Sequence, residues 1–469
     1  MGRVRDVVSL LVTCGVAVAG CSEAGTKAGP PVPSAEPGSS VLGDWNGEIQ
    51  TPAGPLGVGV ALAKDGGSID VPAQGLAATP LSGVKTEPGD VEFAIPGLPG
   101  APTFHGVYDP EKHTITGQFA QSGQTLPLVL RRGKIAGPSR PQEPKPPYPY
   151  RAEDVAYPSG AITVAGTLTE PQGDGPFPAV VLLNGSGRNN RDEEVFGHKP
   201  FLVLADALTR AGYAVLRVDK RGVGGTGGTL AEADYEALAS DVAAALRSLR
   251  GRAEIDGDRI GLLGHSEGGY LAPLVASRPD NRVAFVVMMA GPAVPGAEVL
   301  KAQNRLSAQA SGAPREKVEA DLAFLGELLP LVQAGNRQAV EDFLRERNQT
   351  LPGDRRLSEP EIASYSSPYF RALASFDPTA ALSSLRMPVL AFYGGKDLQV
   401  PAEQSEPAAR RLLAQDPDAT VHVFPDRNHL MQPSQTGRPD EYARIETTID
   451  PAVLDYVIAW LAGRFPPKR

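Results

Sequence analysis

The region from residue 151 to the C-terminus of this 469-residue chain is predicted to adopt an α/β fold with a doubly wound, mostly parallel sheet. Several short segments are nearly continuous runs of Val, Leu and Ile, which is typical of strands buried on both faces. Segments with helical periodicity lie between these runs, and such alternation favours a sheet covered by helices on both sides. The predicted strands are 161–169, 179–183, 214–218, 260–263, 283–289, 389–393 and 420–424, and the predicted helices are 200–211, 231–250, 268–277, 402–414 and 451–464.

Residues 1–20 are predicted to be a signal peptide. Arg3 and Arg5 precede an apolar stretch at 7–19 that is too short to span a bilayer as a stable helix. The stretch ends in Val-Ala-Gly followed by Cys21, which resembles the lipobox of bacterial lipoproteins, where the cysteine thiol accepts diacylglycerol. This resemblance implies an extracytoplasmic chain that begins at Cys21 and is anchored to the bacterial cell membrane by its lipids. The alternative is an ordinary secretory signal in which Cys21 has no role.

Two segments without regular periodicity separate the predicted folded parts. Residues 21–40 are rich in Gly, Pro, Ser and Ala, so they predict a disordered tether. Residues 135–150 are rich in proline and predict a stiff, extended linker, because each proline fixes φ and excludes a helix. The linker leads into the α/β domain at 151–469.

Residues 41–134 predict a small all-β domain, a sandwich or a barrel. Trp45, Phe104 and Tyr108 are expected to be core aromatics, and the sequence Asp-Gly-Gly at 65–67 is typical of a hairpin turn. No motif in this segment indicates chemistry, so it is interpreted as an accessory domain. Its predicted strands include 56–62, 91–95, 114–119 and 126–130.

Charge and cysteine content exclude several classes of protein. The net charge is -9 and no run of Lys and Arg stands out, which argues against a nucleic acid as partner. Cys14 lies inside the predicted signal, and Cys21 is the first residue after it. The mature chain is therefore expected to have neither disulfides nor a cysteine-ligated zinc site. We expect no metal and no organic cofactor.

The five residues 264–268, Gly-His-Ser-Glu-Gly, stand between a predicted strand and a predicted helix. In this setting the pattern G-x-S-x-G forms a tight turn in which glycine is needed on both sides and the serine is exposed at the tip. Ser266 is therefore the candidate nucleophile.

A serine hydroxyl needs an imidazole to take its proton and a carboxylate to orient that imidazole. Of the six histidines, His429 is the best candidate base, because it follows the last predicted strand; His198 is a weaker candidate. Asp397 follows the preceding strand and is the candidate carboxylate, although it could instead cap a helix beginning near residue 402. Asp426 is the alternative carboxylate. The order Ser, Asp, His along the chain is the one that a nucleophile elbow on an α/β sheet requires.

Two backbone N–H groups must stabilise the oxyanion that forms when the serine attacks. The N–H of Glu267, directly after the candidate nucleophile, is predicted to be one donor. The glycine-rich loop 184–187, Asn-Gly-Ser-Gly, is predicted to supply the other through Ser186, with Gly185 as alternative.

Four motifs in this order give residues 157–465 a resemblance to the α/β-hydrolase superfamily, and within it to bacterial serine esterases and dienelactone-hydrolase-like proteins. They are 184–187, the Asp-Lys-Arg-Gly run at 219–222 with two further glycines at 224 and 225, 264–268, and 395–400. Two features depart from the pattern. Asn184 stands where many members have His, and the charged residues 191–194 are expected near the mouth of the site.

The resemblance and the candidate residues together predict a serine hydrolase that cleaves a small carboxylic ester, with a short acyl chain, through an acyl-enzyme. A peptidase or thioesterase of the same fold is the alternative, because the same residues catalyse any acyl transfer. A binding protein of the cell envelope is a further alternative. A mostly helical insertion at about 297–386, including helices at 315–333 and 336–348, is expected either to cap the site or to be purely structural.

Overall fold

The computed structural model describes residues 41–467, except for 52–53, 65, 72–75, 87–88, 97–101, 122, 136–138 and 352–355. The predicted signal, Cys21 and the tether lie outside the described residues, as does Asp65 of the predicted hairpin turn.

The first part of the chain forms one antiparallel sheet of nine strands in the order β4-β3-β2-β1-β9-β8-β7-β6-β5. Its two end strands, β4 and β5, follow one another in the chain, and β5 contacts β3 near the opposite end of the strand order. The side chains on its inner face, including Trp45 and Phe104, form a continuous buried core. The prediction of a separate all-β domain is therefore confirmed. The strands are β1 (Gly43–Thr51), β2 (Gly54–Ala63), β3 (Gly66–Val71), β4 (Leu76–Pro80), β5 (Ser82–Lys85), β6 (Asp90–Ala94), β7 (Thr103–Asp109), β8 (Thr114–Gln121) and β9 (Gln124–Arg132).

The second sheet has eight strands in the order β10-β11-β13-β12-β14-β15-β16-β17. The neighbours from β13 to β17 are parallel, whereas β10 and β11 join at one edge by antiparallel pairing. The side chains of β12, β15 and β16 are all buried, as their apolar runs predict. The strands are β10 (Arg151–Ser159), β11 (Ile162–Glu170), β12 (Phe177–Leu183), β13 (Ala214–Val218), β14 (Ile255–His265), β15 (Val286–Met289), β16 (Val389–Gly394) and β17 (Ala419–Phe424).

Strand β10 is not among the strands that the sequence predicts. It is an edge strand whose first four side chains are exposed, so it carries no apolar run. Its position is fixed by pairing with β11 along its whole length, from Arg151 opposite Glu170 to Ser159 opposite Ile162.

Helices cover both faces of this sheet, which confirms the doubly wound α/β prediction. Helices α2 and α3 pack on one face and α1 and α12 on the other, each over its own apolar core. Among the described residues, no helix has the length and apolar character needed to cross a membrane. The helices are α1 (Pro200–Arg210), α2 (Tyr235–Arg250), α3 (Gly268–Ala276), α4 (Gly296–Ala310), α5 (Arg315–Ala334), α6 (Arg337–Gln349), α7 (Glu359–Tyr365), α8 (Pro368–Ser375), α9 (Thr379–Ser384), α10 (Ala402–Leu412), α11 (Pro439–Tyr442) and α12 (Pro451–Ala462).

The insertion between β15 and β16 is helical, as predicted, and comprises α4 to α9. It has a core of its own, in which side chains of α5, α6, α7 and α8 pack together, among them Phe324, Leu344, Ile362 and Phe370. The insertion, hereafter the cap, therefore has a core separate from the two cores of the central sheet.

Candidate active site

Ser266 stands on the turn that joins β14 to α3 and has a left-handed backbone with φ of 52°. Only glycine fits at the positions two residues before and two residues after it. A Cβ atom at Gly264 would lie 2.0 Å from the carbonyl oxygen of Gly268, and one at Gly268 would lie 2.1 Å from the carbonyl oxygen of Leu183. A left-handed conformation costs a residue such as serine about 1–3 kcal/mol, and such strain is typical of functional positions. The turn has the form of a nucleophile elbow.

Asp397 and His429 lie in the turns after β16 and β17 and contact each other directly. Asp397 Oδ2 is 2.7 Å from His429 Nδ1, and both side chains are almost completely buried. Asp397 Oδ1 accepts hydrogen bonds from the backbone N–H groups of Gln399 and Val400. The carboxylate is thereby fixed in orientation, so it holds the proton of His429 on Nδ1 and leaves Nε2 as the basic nitrogen.

The loop that carries His429 is bound to the turn that carries Ser266. His265, the residue before Ser266, has its Nε2 3.0 Å from the carbonyl oxygen of His429, and the two imidazole rings are 4.7 Å apart. The turn of Ser266 and the loops of Asp397 and His429 thus meet at the carboxyl edge of the parallel strands, which is where open α/β sheets bind their ligands.

The other candidates for base and carboxylate are engaged elsewhere or exposed. His198 is completely buried, with Nδ1 2.9 Å from Thr448 Oγ1 and Nε2 2.8 Å from the carbonyl oxygen of Tyr442. Burial lowers the pKa of His198 to about 4, so it is a neutral structural residue at physiological pH. Asp426 is exposed, while Asp397 makes the contact with His429.

Of the three predicted oxyanion donors, two line the same cavity as Ser266, namely Ser186 and Glu267. The third, Gly185, already donates its N–H to Glu193 Oε1. The next glycine of the loop, Gly187, donates its N–H to the hydroxyl of Tyr369 at 2.8 Å. Of the two candidates in this loop, Ser186 is the one that lines the cavity with Ser266.

The charged residues at 191–194, which are expected near the mouth of the site, are not among the residues that line the cavity. Arg191 binds Asp219, with Nη2 2.7 Å from Oδ2, and Asp192 binds Arg217. Glu193 is buried beside His265, and Glu194 is exposed. Arg191 and Asp192 are thus held in ion pairs and Glu193 is buried, whereas Glu194 faces solvent.

A buried polar cluster that no prediction included lies beside the elbow. Lys220 Nζ is 2.6 Å from Glu267 Oε2 and also donates to the carbonyl oxygen of Gly185. Tyr235 and Tyr369 donate to the same carboxylate, at 3.1 and 2.9 Å. Burial, together with the Glu267 carboxylate, raises the pKa of both tyrosines well above the ordinary value, so both hydroxyls remain donors. Lys220 belongs to the run 219–222, which was the one signal in the sequence for this cluster.

The cavity above Ser266 is roofed by the cap. Its walls are mostly apolar. Within the part of the chain that the structure describes, no group of three His, Cys, Asp or Glu side chains is arranged to hold a metal ion. The wall residues are Tyr270, Pro292, Gly296, Val299, Leu300, Gln303, Tyr369, Phe370, Leu373, Gln399 and Val400.

A strained serine between a parallel strand and a helix, beside a buried Asp–His pair at the carboxyl edge of the sheet, defines the α/β-hydrolase class. The family model described as the alpha/beta hydrolase family matches residues 180–445, and the chain belongs to this family. The resemblance found in the sequence motifs is therefore confirmed.

Comparison with known proteins gives relatives that are esterases. The chain is 32% identical over 348 residues to esterase EstD from Thermotoga maritima, covering 72% of this chain and 77% of the relative. Among solved structures, an esterase from Pyrococcus furiosus is similar at 16% identity and a TM-score of 0.42, covering 71% of this chain and 100% of that chain. A dienelactone hydrolase from Anabaena variabilis has 16% identity and a TM-score of 0.37, covering 67% and 99%.

Proposed function

We propose that this chain hydrolyses neutral carboxylic esters with short acyl groups through an acyl-enzyme on Ser266. The observation that carries the proposal is the position of Ser266 on a strained turn whose neighbour, His265, is bound to the loop of His429. The 32% identity to an esterase supports the ester as substrate.

In the proposed reaction, Ser266 Oγ attacks the ester carbonyl while His429 Nε2 takes its proton. The N–H groups of Glu267 and Ser186 hold the oxyanion. His429 then gives the proton to the departing alcohol, and a water molecule repeats the sequence on the acyl-enzyme, which releases the acid and restores Ser266. Asp397 keeps His429 in the tautomer that both half-reactions need, because its Oδ2 is held against Nδ1.

The lining of the cavity supports a neutral acyl group. The only carboxylate among the wall residues is that of Glu267, and Lys220 neutralises it. Val299, Leu300 and Leu373 of the cap present apolar surface.

The test is ester hydrolysis by the full chain, with p-nitrophenyl acetate, butyrate and octanoate as substrates. Ser266→Ala is expected to abolish turnover, whereas Ser277→Ala, just after the end of the same helix, is expected to leave it unchanged. Acetate and butyrate should be cleaved faster than octanoate. Full activity of Ser266→Ala would overturn the proposal, and preference for a thioester or a peptide in a parallel panel would replace the ester.

The proposed enzyme acts outside the cytoplasm, anchored by lipid on Cys21. This part rests on the lipobox-like sequence before that residue. In bacterial cells, wild-type chain should fractionate with membranes and incorporate labelled palmitate. Cys21→Ser should do neither, and palmitate labelling of Cys21→Ser would contradict the anchor.

A further inference from the structure

A second carboxylate–imidazole pair lies directly behind Ser266 and takes no part in the reaction described above. Glu193 Oε1 is 3.0 Å from His265 Nδ1 and also accepts the N–H of Gly185. His265 Nε2 faces the carbonyl oxygen of His429 at 3.0 Å. The side chains of Glu193 and His265 are 3% and 4% exposed. The pair therefore links the oxyanion loop to the loop of the general base.

Glu193 has a backbone conformation that glutamate rarely adopts. Its backbone is left-handed, with φ of 53°, which costs a non-glycine residue about 1–3 kcal/mol. Its second carboxylate oxygen, Oε2, is buried with no hydrogen-bond partner in the structure. A buried and strained residue with an unpaired polar atom lowers stability, so its presence at the site indicates a role other than stability.

The contacts of His265 determine how many protons the pair holds. Both nitrogens of the ring face oxygen atoms: a carboxylate on one side and a backbone carbonyl on the other. A neutral imidazole carries one N–H and could satisfy one of these oxygens only. The pair therefore retains one extra proton, either as imidazolium with carboxylate or as neutral imidazole with carboxylic acid. In both forms the bond to His429 is made.

The electrostatic surroundings favour this protonated state. Burial opposes a charge on His265, yet the Glu193 carboxylate, its hydrogen bond and the His429 carbonyl together hold the pKa of His265 above its ordinary value. The Asp397 carboxylate, which lies in the turn after β16, also raises the pKa of His265. The His429 ring lies beside the His265 ring at a tilt of 46°. Lys220, which donates to the Gly185 carbonyl, is paired with Glu267.

We propose that Glu193 and His265 are positioning residues whose shared proton fixes the loops of Gly185 and His429 around Ser266, and that loss of this proton sets the alkaline limit of turnover. The inference rests on the proposed esterase function. When water takes this proton at high pH, His265 keeps one N–H for its two contacts. The other contact then has two hydrogen-bond acceptors facing each other with no proton between them. One loop is then released, and the oxyanion donor or the base moves away from its working position.

The experiment measures kcat and KM of the full chain for p-nitrophenyl butyrate between pH 6 and 10. Glu193→Gln removes the carboxylate that retains the proton, so kcat should fall by about 10- to 100-fold, as misplacement of a catalytic group does, with KM within about twofold. Its alkaline limb should move to lower pH by about one unit or more, since an opposite charge nearby shifts a pKa by that amount. Glu194→Gln, the exposed neighbour, is the matched control and should match wild type.

Two substitutions of His265 separate its two contacts. His265→Gln places an amide N–H near the position of Nε2 and keeps a donor for the His429 carbonyl, whereas His265→Asn keeps a donor only toward Glu193. His265→Gln should retain more activity than His265→Asn, and its alkaline limb should lie at higher pH than that of wild type because the amide does not titrate.

Wild-type kcat and pH profile in both Glu193→Gln and His265→Gln would overturn the inference. So would a loss of kcat with an unshifted alkaline limb, because that indicates a merely structural role. Thermal unfolding identifies variants that fail to fold. If His265→Asn is one of them, the result for Glu193→Gln decides the inference. Failure of the proposed function looks different: Ser266→Ala would then remain active, and a fluorophosphonate would label it as it labels wild type.

Discussion

At the scale of single residues, the site depends on how precisely one carboxylate is held. Asp397 uses one oxygen to accept two backbone N–H groups of its own turn and the other to bind His429. A carboxylate fixed in this way cannot turn away from the imidazole, so the tautomer of His429 is determined by backbone geometry rather than by the imidazole itself.

Asp397→Asn tests this role. The amide has a similar shape, but its NH₂ can face Nδ1 and hold His429 in the wrong tautomer, so kcat should fall by about 10⁴-fold with little change in KM. Steady-state kinetics on a p-nitrophenyl ester measure both constants. Asp426→Asn, on the exposed loop before His429, is the control and should leave kcat unchanged. Loss of activity in the control and not in Asp397→Asn would reverse the assignment.

At the scale of elements, the cap is joined to the site by a side chain that binds the catalytic loops. Tyr369 of α8 donates to Glu267, directly after the nucleophile, and accepts the N–H of Gly187 in the oxyanion loop. The cap is therefore bound to both oxyanion segments, although it has its own core. A displacement of α8 would shift the loop and the roof of the cavity together.

Tyr369→Phe should weaken this connection. It leaves the N–H of Gly187 buried without its acceptor and removes one donor from Glu267, so the free energy of unfolding should fall by about 1–3 kcal/mol. The value of kcat should fall as well, because the oxyanion loop loses a restraint. Urea unfolding and ester kinetics measure the two effects. Tyr456→Phe, on the C-terminal helix, is the control for loss of a hydroxyl. Unchanged stability and kcat in Tyr369→Phe would show that packing alone holds the cap.

At the scale of the whole molecule, the linker contacts the segment 442–449, which in turn contacts the loop of His429. Arg140 of the linker donates to the carbonyl oxygens of Ala443 and Ile445, both at 2.8 Å. From the other side, His198 contacts Tyr442 and Thr448. The predicted linker is thus bound to the α/β domain through side chains and is not only a spacer.

His198 should make stability depend on pH. Its pKa is about 4 in the folded chain, against about 6.5 when unfolded, so the unfolded chain takes up a proton first as pH falls. The stability it contributes is present above about pH 6.5 and is lost progressively down to about pH 4, by an amount on the order of 3 kcal/mol. Urea unfolding at pH 7 and pH 5 measures this loss. His198→Asn should reduce the pH dependence, and His105→Asn, on the exposed face of the β domain, should not. An equal loss in wild type and His198→Asn would contradict the assignment.

The sequence by itself determined the features that depend on local order along the chain. Alternation of apolar runs and helical periodicity identified seven of the eight strands of the second sheet, because burial on both faces imposes a composition that each strand carries alone. The elbow around Ser266 is equally local, since its glycines are required by contacts within the turn and with the next strand. Strand β10 was missed because an exposed edge strand carries no such composition.

Only the tertiary structure decided which polar side chains meet. Glu193 and His265 are 72 residues apart in sequence, and Glu267 and Tyr369 are 102 apart. Nothing in the local pattern distinguishes a buried glutamate with a partner from an exposed one such as Glu194. Burial and charge pairing are set by contacts between loops at one edge of the sheet, and those contacts exist only after the chain has folded. The sequence therefore predicted the candidate reacting residues, and the structure showed the polar cluster around them.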